Sequence, residues 1–239
     1  MRIAAAKLLG EMPDDQQVVL SLQDHLTRIA NATSREQELT ETAKALSRHV
    51  YRNQRLRTDV LRNVIEHLPK GPNSHFGDAT AQHHLLGLLL VCESIGGVAD
   101  DATARRLYAL AESYKTPLAI RRQALRVYGR ICPPSVENLE LIVKLLRRND
   151  LRMNETTYAA AASFVTQSRR KVEYVRRIYS NLGTLRDTLS DAWQRETARP
   201  TDSIDPPGLR DIREAVVEVE QLMLAYEEFA GRATLTVTA

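Results

Sequence analysis

Apolar residues recur along most of this chain at intervals of three and four, the spacing of one helix face rather than the alternation of a strand. The pattern predicts a first helix over about 2–11 and a turn at Pro13-Asp14-Asp15, whose aspartates cap the next helix. Val18, Val19, Leu22, Leu26 and Ile29 form the stripe of that second helix. A third follows Thr33 or Ser34 and carries Leu39, Ala43, Leu46 and Val50 on one side. A fourth, from about Asn53, places Leu56, Val60, Leu61, Val64, Ile65 and Leu68 inward until Pro69-Lys-Gly-Pro72 stops it. After a loop at 70–77, Asp78 opens a strongly apolar helix that ends near Gly96-Gly97.

In the second half, Asp100 and Asp101 cap a helix reaching about Tyr114. Thr116-Pro117 begins another, with proline in its first turn, and Pro133-Pro134 ends it. Val136, Leu139, Ile142, Val143 and Leu146 make a further stripe. Asn149-Asp150 then breaks the chain, and Asn154 starts an alanine-rich helix over 157–165. Over 169–198 the stripe Val172, Val175, Ile178, Tyr179, Leu182, Leu185, Leu189 and Trp193 is helical, with a bend expected at Gly183. Three prolines and a glycine mark 199–208 as a linker. A last helix over 209–230 precedes an alternating, β-branched tail at 233–239 that reads as a lone strand.

One motif occurs twice. Arg2-Ile-Ala-Ala-Ala-Lys-Leu-Leu-Gly10 returns as Arg121-Arg-Gln-Ala-Leu-Arg-Val-Tyr-Gly129, an offset of about three helical-hairpin repeats of roughly 40 residues. The offset pairs Ala5 with Ala124, Lys7 with Arg126, Leu8 with Val127 and Met12 with Ile131. Small residues there admit a close second helix, and the closing glycine is expected to turn left-handed and stop the hydrogen-bond ladder.

The pattern resembles the second helix of HEAT repeats and, more loosely, armadillo-like α-solenoids, best over 1–28 and 117–168. The resemblance implies an all-α, right-handed α-solenoid of about five helical hairpins over 1–198, the linker, and then the C-terminal helix and short terminal strand of 209–239. That last segment is also readable as the start of a further domain. An unpaired first helix and an unpaired strand at the two ends suggest a segment of a longer protein.

Composition narrows the partners. The chain has 239 residues, 43% hydrophobic and 26% charged, enough for a large core in one or two domains. No apolar run approaches the roughly 18 residues that span a bilayer, and no secretory signal is recognisable, so a cytoplasmic protein that does not engage membranes is expected. Cys92 and Cys132 lie singly in apolar stretches and read as buried, reduced thiols.

Charge is unevenly spread. Residues 104–177 hold 16 lysines and arginines against 6 acidic residues, while 200–239 hold 8 acidic residues against 3 basic ones. The basic stretch can attract an acidic protein surface or phosphates, or be screened by the acidic last helix. Arg121, Arg122 and Arg126 are candidate partner contacts, joined by Arg147, Arg148, Arg169, Arg170 and Lys171 at the turns.

Nucleophile elbow, phosphate-loop, zinc-protease and dinucleotide motifs are absent, and Asp14-Asp15 and Asp100-Asp101 read as caps. His83-His84 are adjacent and so diverge on a helix, while His25, His49 and His67 suit helix ends. The expectation is a non-enzymatic protein-binding scaffold with no cofactor, no catalytic residue and no metal site, whose partner is a protein with an acidic surface. The alternatives are a nucleic-acid-binding HEAT-like protein acting through 104–177, or a regulatory segment of a larger multidomain protein.

Overall fold

The computed structural model describes residues 2–12, 15–30, 36–51, 61, 79–198 and 207–237. Among them are ten helices and no strand. The chain divides into two compact units, Met1–Cys132 and Pro133–Ala239.

The first unit contains α1 (Arg2–Glu11), α2 (Gln16–Ala30), α3 (Glu36–Tyr51), α4 (Ala79–Ile95), α5 (Asp101–Glu112) and α6 (Leu118–Ile131). Asp15 leads into α2 and accepts from the Gln17 amide at 2.8 Å. Helix α2 buries Val18, Val19, Leu22 and Leu26, four of the five positions of the predicted stripe; the side chain of Ile29 lies outside the described ones. Leu85, Leu88, Leu89, Val91, Cys92 and Ile95 bury one broad face of α4. Four helices form a row in which α1 packs on α3, α3 on α4 and α4 on α6. Helix α2 lies along α3, and α5 lies along α6.

Turn chemistry follows the expected lines. The chain leaves α4 through Gly96 at φ 62° and Gly97 at φ 102°, which cost a Cβ-free residue little. The Ala99 amide then donates to the Ile131 carbonyl at 2.7 Å, tying this turn to the end of α6. Asp100 caps α5 by accepting from the Thr103 amide at 2.7 Å. Pro117 stands at the N-cap of α6, one residue before the helix.

The paired glycines do not stop their helices. Gly10 and Gly129 both sit inside helix, and neither has a positive φ. Gly10 instead admits α3, because a Cβ there would stand 3.0 Å from the Cα and the Cβ of Ala45. The helix predicted from Asn53 lies outside the described residues, apart from Leu61, which is helical and buried.

The second unit contains α7 (Val136–Arg148), α8 (Asn154–Ser168), α9 (Val172–Thr197) and α10 (Pro207–Val237). Ser135 caps α7 through the Asn138 amide at 3.3 Å, and Asn149 ends it in the left-handed region at φ 50°. Helix α9 stays helical through Gly183. Helix α7 packs on α9, α8 on α10, and α9 on α10. Their shared core includes Leu139, Ile142, Phe164, Ile178, Leu182, Leu185, Ile212 and Val219, all completely buried. Glu196 near the end of α9 accepts from Tyr158 at 2.9 Å and from Asn154 at 3.0 Å, both on α8.

Three expectations change here. The tail read as a lone strand is helix through Val237. A single strand would leave its peptide groups unpaired, whereas continuing α10 satisfies them within the segment, at about half a kcal/mol for each β-branched residue. Pro207 and Gly208, read as linker, form the first turn of α10; residues 199–206 lie outside the described set. The boundary between the units falls between Cys132 and Pro133, inside the span 1–198.

Candidate partner-binding groove

The eight candidate cations fall into separate places. Arg121, Arg122 and Arg126 belong to α6 in the first unit, and the other five to the second.

Arg121 is drawn into the fold. Its side chain is 6% exposed, and its Nε donates to the Ala111 carbonyl at 3.0 Å. The guanidinium also stands 4.7 Å from the centroid of the Tyr114 ring. Carbonyls in the last turn of a helix lack intrahelical donors, so Arg121 completes the end of α5. It is unavailable to a partner, in contrast to the expectation. Arg122 and Arg126, turned away from Arg121 around the helix, are exposed.

Arg147 and Arg148 are exposed and line a groove of about 630 Å³ between α7 and α9. Helix α7 contributes two parallel ridges to it, Leu139, Val143 and Arg147 beside Glu140, Lys144 and Arg148. This is the i, i+4 geometry of a helix face. Asn181 and Thr184 form the α9 wall, and Asn181 donates to Glu140 at 3.4 Å. The lining therefore places three cations over a small apolar floor, with Glu140 as its one acid. Lys144 belongs with the candidate residues on this geometry; it entered the sequence reading only as part of a charge count. The i, i+4 relation of Lys144 to Arg148 was the available signal.

Arg169 is partly screened within the unit, pairing with Glu218 of α10 at 2.6 Å. This bears out the screening role of the acidic helix at one position. Arg170 and Lys171 are exposed at the α8–α9 turn, where the Lys171 ammonium lies 5.4 Å from the Tyr174 ring centroid. Farther along the α9–α10 contact, Tyr179 donates to Glu227 and its ring lies 4.7 Å from that of Tyr226. The bond to Glu227 raises the Tyr179 pKa by stabilising the protonated phenol.

His25 and His49 serve as struts. His49 is buried, with Nε2 at 2.6 Å from the Leu9 carbonyl, and His25 Nε2 lies 3.1 Å from Glu38. Among the described residues no group of three His, Cys, Asp or Glu side chains could hold a metal ion. Both cysteines are buried and neither forms a disulfide, and burial pushes the Cys92 thiol up to about 12 and raises Cys132 in the same direction. Such thiols stay protonated and unreactive. Among the described residues no helix is long and apolar enough to cross a membrane.

No family model, curated protein or solved structure matches this chain.

Proposed function

We propose that the chain is a non-enzymatic scaffold that binds a partner protein carrying an acidic surface. The supporting observation is the α7–α9 groove, where Lys144, Arg147 and Arg148 converge beside an apolar floor. An acidic segment lying there exchanges solvent for charge-assisted hydrogen bonds.

In this reading the helices are stacked hairpins of a right-handed, HEAT-like α-solenoid of about five pairs, working in the cytoplasm. The row of α1, α3, α4 and α6 supports it, as do the pairings of α7 with α9 and of α8 with α10. A hairpin that cannot cover its own apolar face does so against the next one in the row.

The test is titration of the full chain against a glutamate-rich peptide and a DNA duplex, read by fluorescence anisotropy at two salt concentrations. The peptide is expected to bind, with Lys144→Glu and Arg147→Glu each weakening it about tenfold while exposed Arg126→Glu leaves it unchanged. Preferential duplex binding that falls linearly with the logarithm of salt would transfer the groove to nucleic acid. Binding of neither probe would end the proposal.

A further inference from the structure

Helix α6 opens to solvent along a single line. Nine of its residues are buried and Leu118 is half-buried, so the exposed ones are Ala119, Arg122, Arg126 and Arg130. The three arginines recur at i, i+4 and i+8 and form one ridge that advances about 6 Å per step. Along it no aromatic ring is exposed, and no apolar side chain larger than that of Ala119.

The helix holds these cations against its own electrostatics. Its sequence contains four arginines and no acidic residue. Like charges four positions apart repel, and Arg121 and Arg122 stand at the N-terminal end, where the peptide dipoles already place positive charge. Helices α5, α7, α8 and α9 each carry an aspartate or glutamate in the first turn instead. Arg126 and Arg130 form no ion pair among the described residues. The half-buried Glu93 of α4 is engaged by the side-chain amide of Gln123, which donates to it. Between Tyr51 and Ala79 the sequence has five lysines and arginines against three acidic residues, so that stretch holds no surplus of negative charge to neutralise the ridge.

We infer that the exposed ridge of α6 contacts the phosphate backbone of a nucleic-acid duplex without reading its sequence. The make-up of the ridge selects this partner. A protein interface depends on apolar and aromatic anchors, and exposed ion pairs add little to it. Phosphate contacts gain instead from the release of condensed counterions, which exposed cations achieve by themselves. Guanidinium forks also match the oxygens of a phosphate. A site for a single strand would present rings on which bases stack, and this ridge has none. The inference concerns the first unit and does not rest on the α7–α9 groove.

The probe is a fluorescein-labelled duplex of about 20 base pairs, titrated with the full chain over a range of salt concentrations and followed by anisotropy. Binding is expected at low salt, and the logarithm of the association constant should fall against that of salt with a slope of about −3, close to −0.9 for each of three phosphates. Arg122→Gln, Arg126→Gln and Arg130→Gln should each make that slope shallower by about one and weaken binding several-fold, equally for duplexes of unrelated sequence. Arg126→Lys returns the charge and should restore the slope. Arg177→Gln, which removes the same charge from an exposed site on α9, should change neither quantity. Because the three ridge positions are exposed, their variants should melt with the parent, which separates a lost contact from lost folding. Absence of duplex binding at low salt overturns the inference, as does a slope that the three ridge substitutions together leave unchanged. Duplex binding lost with Lys144→Gln and kept in the ridge variants would belong to the α7–α9 groove and overturn it too. Binding of a glutamate-rich peptide that Arg126→Gln abolishes, with no duplex bound, would assign the ridge to an acidic protein and likewise overturn the phosphate contact.

Discussion

Gly10 of α1 stands over Ala45 of α3 so closely that a methyl group in place of its hydrogen would lie 3.0 Å from both the Cα and the Cβ of Ala45. Close beside it, His49 of α3 reaches the Leu9 carbonyl at 2.6 Å. The two contacts join helices about forty positions apart in sequence, and the first tolerates no side chain.

Gly10→Ala should therefore destabilise the protein by about 1–3 kcal/mol, since backbone rather than a flexible tip must yield. Gly183→Ala should do the reverse. A Cβ there meets nothing within 4 Å, so the helix-propensity gain of about 0.5–1 kcal/mol is uncompensated. Paired denaturant titrations of the two variants check the contrast, and equal signs would refute the packing argument.

Arg121 and Arg122 are neighbours with different expected fates. Removing Arg121 leaves the Ala111 carbonyl without its guanidinium and opens the space under Tyr114, so Arg121→Ala should cost about 2–3 kcal/mol. Arg122→Ala, on the exposed side, should change stability by no more than about 0.5 kcal/mol. Thermal unfolding of both, with lysine at position 121 as a partial rescue, measures the difference.

Tyr158 is 2% exposed, and its hydroxyl donates to Glu196 across α8 and α9. Tyr158→Phe keeps the ring and loses that bond, for a cost of about 1 kcal/mol. Tyr158→Ala also empties the space against Gly208 at the start of α10 and should cost about 3–5 kcal/mol. Melting midpoints falling in any other order would contradict this account of the second unit.

Cys92 supplies a test in pH. Its folded pKa, raised by burial to about 12, exceeds the value of 9.0 for a free thiol, so its contribution is complete below pH 9 and is lost as the pH climbs toward 12. Across that window the unfolded chain releases a proton that the folded chain keeps, and stability should fall by about 1.4 kcal/mol per pH unit from this group. Cys132 and Tyr128, both raised by burial, act in the same sense. Cys92→Ala should flatten the alkaline slope measured by urea unfolding. At pH 8 a thiol-specific disulfide reagent should label neither cysteine until the chain is unfolded.

Helix positions were legible from residues within a few places of one another. The cap at Asp100, the left-handed exit at Gly96-Gly97, the break at Asn149 and the stripe Leu139, Ile142 and Leu146 each depend on local backbone geometry or on one helix face. The candidate cations were less legible. A charge count treats Arg121 as equivalent to Arg122 and Arg169 as equivalent to Arg170, yet Arg121 is buried under Tyr114 and Arg169 meets a carboxylate 49 positions away.

Periodicity, capping residues and proline placement were thus enough to specify an all-helical chain and most of its helix ends, because hydrogen bonds between positions three and four apart establish them. Folding in three dimensions settled the rest: that Gly10 is a contact rather than a stop, that the β-branched tail joins α10, and that Lys144 stands with Arg147 and Arg148 in one groove. Each of these turns on which helix lies against which, and on there being no strand among the described residues to offer a partner, information that resides in contacts between distant residues.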